Sequence, residues 1–343
     1  MAGPSISVVV VTWNRRDLLR ACLKSLMLQA KVQFQLIVVD NGSTDRSVDM
    51  VTSEFPTAQL ILNATNRGFC EANNQGIGAA EGDLVALLNN DAEADPGFLW
   101  ELAQVFEGRP GVGMAASKIV VYGNPRRIDK AGHLMWPDGQ NRGRGTGAWD
   151  IGQFDRDEEV LWPDGCAAMY RREMLNQIGG FDEDFFAYGD DAELGLRARI
   201  AGWTCIYNPR AVVRHHRGST MGKASLRRLS LIERNRVLLA AKLFPLSLLF
   251  LNVFYYVQRL TAGAAAAAAG EGEAALFPGF TGKLRLAYAL LRGDLQALLL
   301  LPRMLRKRGA FLRLRRLSPR ETKELILAHR ISLKELSTQA ALD

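Results

Sequence analysis

The chain is short of four things, and each absence narrows what it can be. Its four cysteines (Cys22, Cys70, Cys166 and Cys205) form no CxxC and no His/Cys spacing, so neither a zinc site nor a disulfide framework is expected. They read as reduced thiols in a cytosolic setting. The N-terminus runs into the strand-like Ile6-Ser7-Val8-Val9-Val10-Val11 without a basic region, an apolar region and a small-residue cleavage site, so secretion is not expected. No apolar run reaches the roughly 20 residues that a spanning helix needs. The place after the first strand also lacks a glycine-rich loop bearing Lys or Arg. It holds Thr12-Trp13-Asn14-Arg15, which argues against an enzyme that makes activated sugars by nucleotidyl transfer. The tetrapeptide WPDG occurs at 136–139 and again at 162–165, but the surroundings do not repeat and the recurrence reads as coincidence.

What is present is the composition of a folded protein, 343 residues with 48% hydrophobic content. The net charge of +7 hides a division: from Arg210 onward 24 Lys/Arg face 8 Asp/Glu, a surplus of +16, which leaves the first 209 residues at −9. A basic tail on an acidic body implies an anionic partner. Two β-branched runs, 6–11 and 36–40, flank an amphipathic stretch with Leu18, Leu19, Cys22, Leu23 and Leu26 at helical spacing, which predicts a β-α-β unit. Leu60-Ile61-Leu62 and Leu84-Val85-Ala86-Leu87-Leu88 extend it into an α/β fold with a mostly parallel sheet. Sites in such sheets lie beyond the carboxyl ends of the strands, where Asp40 and Asp91 fall. From about 122 to 153 the chain is rich in Gly and Arg and weakly periodic, and reads as a long loop over the site, a candidate lid. Residues 225–243 are basic and apolar at helical spacing, 245–257 are nearly all apolar, and Leu295–Leu301 is interrupted by Pro302 and followed by arginines. Arginine-flanked apolar helices of this length fit an anionic membrane surface better than nucleic acid. The alternative is a helical subdomain packed on the catalytic body or on a partner subunit. The predicted division is therefore 1–222 as the catalytic domain, its nucleotide half ending near 120, and 223–343 as a helical region.

Several residues suggest chemistry directly. Trp13 offers a flat face for a nucleobase, and Asp40 can accept a hydrogen bond from a ring N–H. That pair suits uracil, thymine or guanine and disfavours cytosine. Alone, Asp40-Asn41-Gly42-Ser43 is equally a plain turn. Asp190 and Asp191 open a helix after the aromatic turn Phe185-Phe186-Ala187-Tyr188-Gly189. Adjacent acids there are ordinary capping residues, but two neighbouring carboxylates also raise each other's pKa toward values useful to a general base.

Taken in order, Val8–Arg15, Val38–Asp45, Asn66-Arg67-Gly68-Phe69 with Asn74, Leu87–Asp91 and Gly179–Asp191 closely resemble family-2 glycosyltransferases of GT-A fold, in the bacterial branch that includes rhamnosyltransferases of cell-surface polysaccharide synthesis. The resemblance covers roughly residues 5–245. It implies a nucleotide site from Thr12, Trp13, Asn14, Asp40, Asn66, Gly68, Asn74 and Asn90. It makes Asp91 and His215 ligands of a divalent cation, Mg²⁺ or Mn²⁺, with His216 as the fallback, although Asn89 stands where the first carboxylate of the family's Asp-x-Asp motif often lies. It makes Asp191 the general base, with Asp190 contacting the acceptor or orienting Asp191, and places Trp162, Asp164 and Gly165 along the sugars. A turn after Pro163 accounts for Asp164 as well. Arg217 and Lys223 would add charge beside the leaving diphosphate or, as a basic pair at the start of a basic tail, equally face lipid headgroups.

The expected protein is an inverting, metal-dependent transferase that moves a sugar from a UDP- or dTDP-sugar, dTDP-rhamnose by family analogy. The acceptor would be a hydroxyl of a glycan or polyprenyl-diphosphate-linked glycan at the cytoplasmic face of the inner membrane. A catalytically silent scaffold of the same fold is the rival reading, kept alive by the altered Asp-x-Asp.

Overall fold

Strand β1 (Ile6–Thr12) is nearly all β-branched and alternates between two cores, Val8 and Val10 on one face and Val9 on the other. That is the pattern of a central strand covered by helices on both sides. The computed structural model describes residues 4–217 and 225–339. Helix α1 (Arg16–Met27) returns the chain to β2 (Phe34–Asp40), α2 (Ser47–Glu54) to β3 (Gln59–Leu62), and α3 (Gly68–Ala79) to β4 (Leu84–Leu88). These four strands pair in parallel in the order β3-β2-β1-β4. The expected β-α-β alternation is therefore present.

After β5 (Ala92–Ala94) and α4 (Phe98–Gln104) the sheet becomes mixed. Strand β6 (Val112–Val121) lies between β11 (Ala167–Arg171) and β12 (Thr204–His215), and β11 joins this half antiparallel to β4. Helix α5 (Arg172–Ile178) and α6 (Asp190–Ile200) connect them. Helices α1, α2 and α4 cover one face; α3, α5 and α6 cover the other. Each fully buried Leu or Val adds roughly 1.5–3 kcal/mol relative to an exposed one. The close packing admits no side chain at Gly195, where a Cβ would stand 2.2 Å from Trp162 Cβ.

The segment read as a loop is not one. It folds into β7 (Asn124–Lys130), antiparallel to β6, and a hairpin of β8 (His133–Met135) with β9 (Asn141–Gly143), while β10 (Glu158–Glu159) edges β12. Short strands rich in Gly and Arg carry almost no periodic signal, and pairing to a buried strand makes them. The first WPDG lies here: Asp138 is fully buried and paired with Arg259 at 2.6 Å.

The tail is α7 (Leu226–Leu243), α8 (Leu246–Ala268), α9 (Gly279–Phe311), α10 (Pro319–Ala328) and α11 (Leu333–Thr338). Its Leu238, Leu239, Ala297, Met304 and Ile326 share one core with Trp162 and Leu194 of the body. Pro302, which interrupts the apolar run, does not interrupt the helix: α9 runs through it for 33 residues. One lost backbone bond is outweighed by the packing of Ala297 and Met304, both buried, on either side. The expected boundary near 222 falls outside the described residues.

Charged ties fasten the tail to the turn before α6. Lys242 on α7 meets Asp182 at 2.6 Å and Glu193 at 2.7 Å, and Lys307 on α9 also pairs with Asp182. Burial pushes the Asp182 carboxyl up, but these ammonium groups outweigh it and bring it down to about 2. A carboxyl held below its unfolded value contributes stability above that value and loses it as pH falls through the folded one. Between about pH 4 and pH 2 the protein should therefore lose roughly 2–3 kcal/mol through Asp182. Urea midpoints at pH 6 and pH 3 check this; Asp182→Asn should shrink the difference between them.

Candidate active site

The ends of β4 and β12 meet because β5 pairs antiparallel with β12, with His215 opposite Ala92. Asp91, the residue before that pair, then faces His215: Nε2 lies 3.3 Å from Asp91 Oδ1. The other ring nitrogen, Nδ1, is 2.7 Å from Asp129 Oδ2, and Arg217 meets Asp129 Oδ1 at 2.6 Å. Asp129 is fully buried. Burial raises its pKa, but His215, Arg217 and Lys130 outweigh that and lower it to about 2. Burial works against a charged imidazole at His215, yet Cys166, Asp129 and Asp91 hold its pKa well above the ordinary value. His216 turns away, 2.9 Å from Glu93 and stacked on Tyr122. Arg217 is thus engaged by Asp129, and Lys223 lies outside the described residues.

Asp91, His215 and Arg217 are on the wall of a cavity of about 470 Å³. Asp190 and Asp191 reach the same cavity from the first turn of α6, where unpaired N–H groups favour negative charge. Asp190 is buried, and its pKa is raised well above the carboxylate range, first by burial and then by Asp191. Asp191 accepts from its neighbour's amide, Ala192 N, at 2.8 Å. Its Oδ2 is 3.5 Å from His133 Nε2, which in turn is 2.8 Å from Asp164 Oδ2. Lys130 Nζ also bonds Asp164. Burial raises the Asp164 pKa, but Lys130 and His133 reverse that and hold it well below the usual range. His133, Asp164 and Asp191 stand close enough for a metal triad, yet Lys130 already supplies a cation to that carboxylate. The cluster reads as an ion-pair network around Asp191. The aromatic turn before α6 is clasped by the tail, since Asn235 Nδ2 donates to the carbonyls of Phe185, Ala187 and Tyr188 at 2.9, 2.9 and 2.6 Å.

On the strand-β1 side, Trp13 is exposed and borders both this cavity and an open groove shared with Asn14. Asn14 fixes the 43–44 turn, accepting from Thr44 N at 2.9 Å. Asp40 is buried. Its Oδ2 accepts from Gly42 N and Ser43 N, and its Oδ1 has no hydrogen-bond partner among the described residues. Asn66, Gly68 and Asn90 line the cavity. Thr12 is buried and positions Asn90, whose Nδ2 lies 3.0 Å from Thr12 Oγ1. Gly68 has φ +85°, and a Cβ there would meet the Phe186 ring at 2.5 Å, so this turn requires glycine.

Two sequence expectations are corrected. Asn74 is committed elsewhere: its amide pairs with both the N–H and the carbonyl of Phe181, a brace between α3 and the turn before α6, so it is not free to hold a nucleotide. Trp162 is fully buried and stacks beneath His133, so it supports the network and presents no face to a sugar. Asp164 and Gly165, by contrast, are on the cavity wall. Sequence reasoning missed Asp129, Lys130 and His133, all from the segment read as a loop. Its one available signal was the charged cluster Asp129-Lys130 next to His133.

The family model for glycosyl transferase family 2 matches residues 7–179. The chain is 30% identical over 243 residues to N-acetylglucosaminyl-diphospho-decaprenol L-rhamnosyltransferase of Mycobacterium tuberculosis, covering 64% of this chain and 78% of that protein. It is 28% identical over 225 residues to a PGL/p-HBAD biosynthesis glycosyltransferase of Mycobacterium bovis, covering 63% of this chain and 75% of the relative. In three dimensions it resembles a mannosyltransferase of Pyrobaculum calidifontis solved with GDP-Man and Mn²⁺, with a TM-score of 0.53 at 20% identity over 92% of this chain and 86% of the other. That likeness is one of fold, and it takes in the C-terminal helices as well as the α/β body. The family match takes in the cavity-lining residues from Val11 to Cys166, and on that ground the chain belongs to glycosyl transferase family 2, in its rhamnosyltransferase-like branch.

Proposed function

We propose that the protein is an inverting transferase moving a sugar from a UDP- or dTDP-sugar to a hydroxyl of a lipid-linked glycan in cell-surface polysaccharide synthesis. The observation that carries this reading is one cavity that joins Asp91–His215 at the strand ends to Asp191 at the start of α6. The relative that acts as an N-acetylglucosaminyl-diphospho-decaprenol L-rhamnosyltransferase supports a polyprenyl-diphosphate-linked acceptor and makes dTDP-rhamnose the first donor to try.

Trp13 would stack on the base, and Asp40 Oδ1 would accept its ring N–H. Asp91 and His215 fit a divalent cation: one carboxylate and one imidazole leave the remaining positions to phosphate oxygens and water, a set that suits Mg²⁺ or Mn²⁺. Asp129 on His215 Nδ1 is the outer carboxylate that such a ligand uses to aim Nε2. When bound, the cation would neutralise charge on the leaving diphosphate. Asp191 takes the proton of the acceptor hydroxyl, whose oxygen forms a bond to the anomeric carbon. The bond to the diphosphate oxygen breaks in the same step and its electron pair leaves with the nucleotide. Burial and the neighbouring Asp191 both favour the neutral form of Asp190, which limits the negative charge gathered beside the base.

The test is transfer from dTDP-rhamnose and a panel of UDP-sugars to a short-chain N-acetylglucosaminyl diphospholipid, with the anomeric configuration of the product read by NMR. Inverted product supports the reading; retained configuration, or no transfer from any donor, removes it.

The same reading puts the enzyme on the cytoplasmic face of the inner membrane. Its support is a stripe of exposed Leu246, Phe250, Val253, Phe254 and Val257 along α8 and a second of Phe280, Leu284, Leu291, Leu295 and Leu299 along α9, with Arg303 exposed nearby. Among the described residues no helix is long and apolar enough to cross a membrane. Exposed apolar stripes with basic flanks are the marks of a helix lying in the interface. The protein should float with vesicles containing anionic lipid, and Phe250→Asp with Leu299→Asp should leave most of it in the soluble fraction. Equal flotation of wild type and double variant would refute interfacial binding through these helices.

A further inference from the structure

The cavity has a basic end that the transfer chemistry above does not use. Arg142 on β9 and Arg228 on α7 close on a single carboxylate, Glu273, with Nη2 of each at 3.1 and 3.0 Å from its two oxygens. All three side chains line the cavity and are about one-fifth exposed. The other cations on that wall have their own acids: Lys130 has Asp164, Arg217 has Asp129, and Arg236 has both Glu233 and Asp294. Two guanidinium groups against one carboxylate leave a positive charge over. Arg228 Nη1 is in addition buried without a hydrogen-bond partner among the described residues. A buried, unpaired guanidinium N–H is costly and marks a place where an acceptor atom is wanted. One helical turn further along α7, Ile232 lies on the same cavity wall, followed by Leu239. Forked donors for phosphate oxygens therefore stand beside apolar surface.

We propose that Arg142 and Arg228 form the subsite for the diphosphate of a polyprenyl-diphosphate-linked acceptor, with Glu273 holding the two guanidinium groups in register until that anion arrives. This rests on the transferase reading above and names the part of the acceptor that the enzyme recognises. Guanidinium pairs suit phosphate because their N–H groups match its oxygens two at a time. The charge count assigns this end to the acceptor, since the donor diphosphate belongs with Asp91 and His215. The paired acids Asp190 and Asp191 would repel a second diphosphate placed beside them.

The test is calorimetric binding of farnesyl diphosphate and of farnesol to the full chain, with and without a saturating nucleoside diphosphate and Mn²⁺. Farnesyl diphosphate should bind the nucleotide-loaded protein, and farnesol should bind on the order of tenfold more weakly or not at all. Arg228→Gln and Arg142→Gln should each weaken farnesyl diphosphate on the order of tenfold while nucleotide affinity stays as it was. The two variants sit on different elements, so if one fails to fold the other decides. Farnesyl diphosphate that competes with the nucleotide, that binds both variants as tightly as wild type, or that does not bind at all would overturn the subsite. Binding of farnesyl diphosphate without any binding of nucleotide would instead overturn the donor reading and leave the subsite standing.

Discussion

Asp191→Asn should abolish turnover while leaving nucleotide binding intact. A positioned general base is worth about 10²- to 10⁴-fold, and an amide of the same shape cannot take the proton. The side chain is held by Ala192 N and faces His133 across 3.5 Å, so the substitution keeps the geometry and removes only the basicity. Asp190→Asn should cost far less. Its carboxyl is already driven toward the neutral form by burial and by Asp191, and asparagine resembles that form. Transfer rates of the two variants, with nucleotide affinity as the control, check this. Equal losses in both would mean that the pair acts as a unit or that the base lies elsewhere. Full activity of Asp191→Asn would remove it from the mechanism.

The second large effect is expected at the strand ends. Asp91→Asn should eliminate the metal-dependent part of nucleotide binding, because Asp91 and His215 supply one oxygen and one nitrogen, and the rest of the coordination comes from phosphate and water. A nucleotide at a hundredfold excess over its Kd raises stability by about 2.7 kcal/mol through mass action, worth several degrees in a protein of this size. The variant should keep the small shift from base stacking on Trp13 and lose the increment that Mn²⁺ adds. His215→Ala should behave alike, and His216→Ala should not, since His216 is held by Glu93 and Tyr122 on the other side of the strand. A reversed ranking of the two histidines in a thermal-shift titration with Mn²⁺ would contradict the assignment.

Much of this was legible in the sequence, and the reasons are specific. The strands β1, β2 and β4 are continuous apolar runs because both faces are covered, and such runs end where the chain turns polar, which places Asp40 and Asp91 at or just past strand ends. The Asp190-Asp191 pair was visible as a helix start. What was hidden depends on distant partners. Strand β7 carries Pro125, Arg126 and Arg127 and reads as a loop, yet pairing with β6 makes it a strand that delivers Asp129 and Lys130 to the site. His133 gains its place only through Trp162 behind it and Asp164 beside it. Asn74 carried a motif position but serves as a brace, a difference that only the partners at Phe181 reveal. The tail was legible as basic, apolar helices. Its clasp on the turn before α6, through Asn235 and Lys242, was not.

The measurement that bears most directly on the account is a thermal-shift panel of UDP, dTDP, GDP, CDP and ADP, each with and without Mn²⁺. Asp40 offers an acceptor oxygen with no partner among the described residues, so UDP or dTDP should stabilise the protein strongly, CDP should be inert, and Mn²⁺ should be required for the full effect. Absence of a metal-dependent shift with all five nucleotides would contradict the account and favour a transferase-like scaffold without activity.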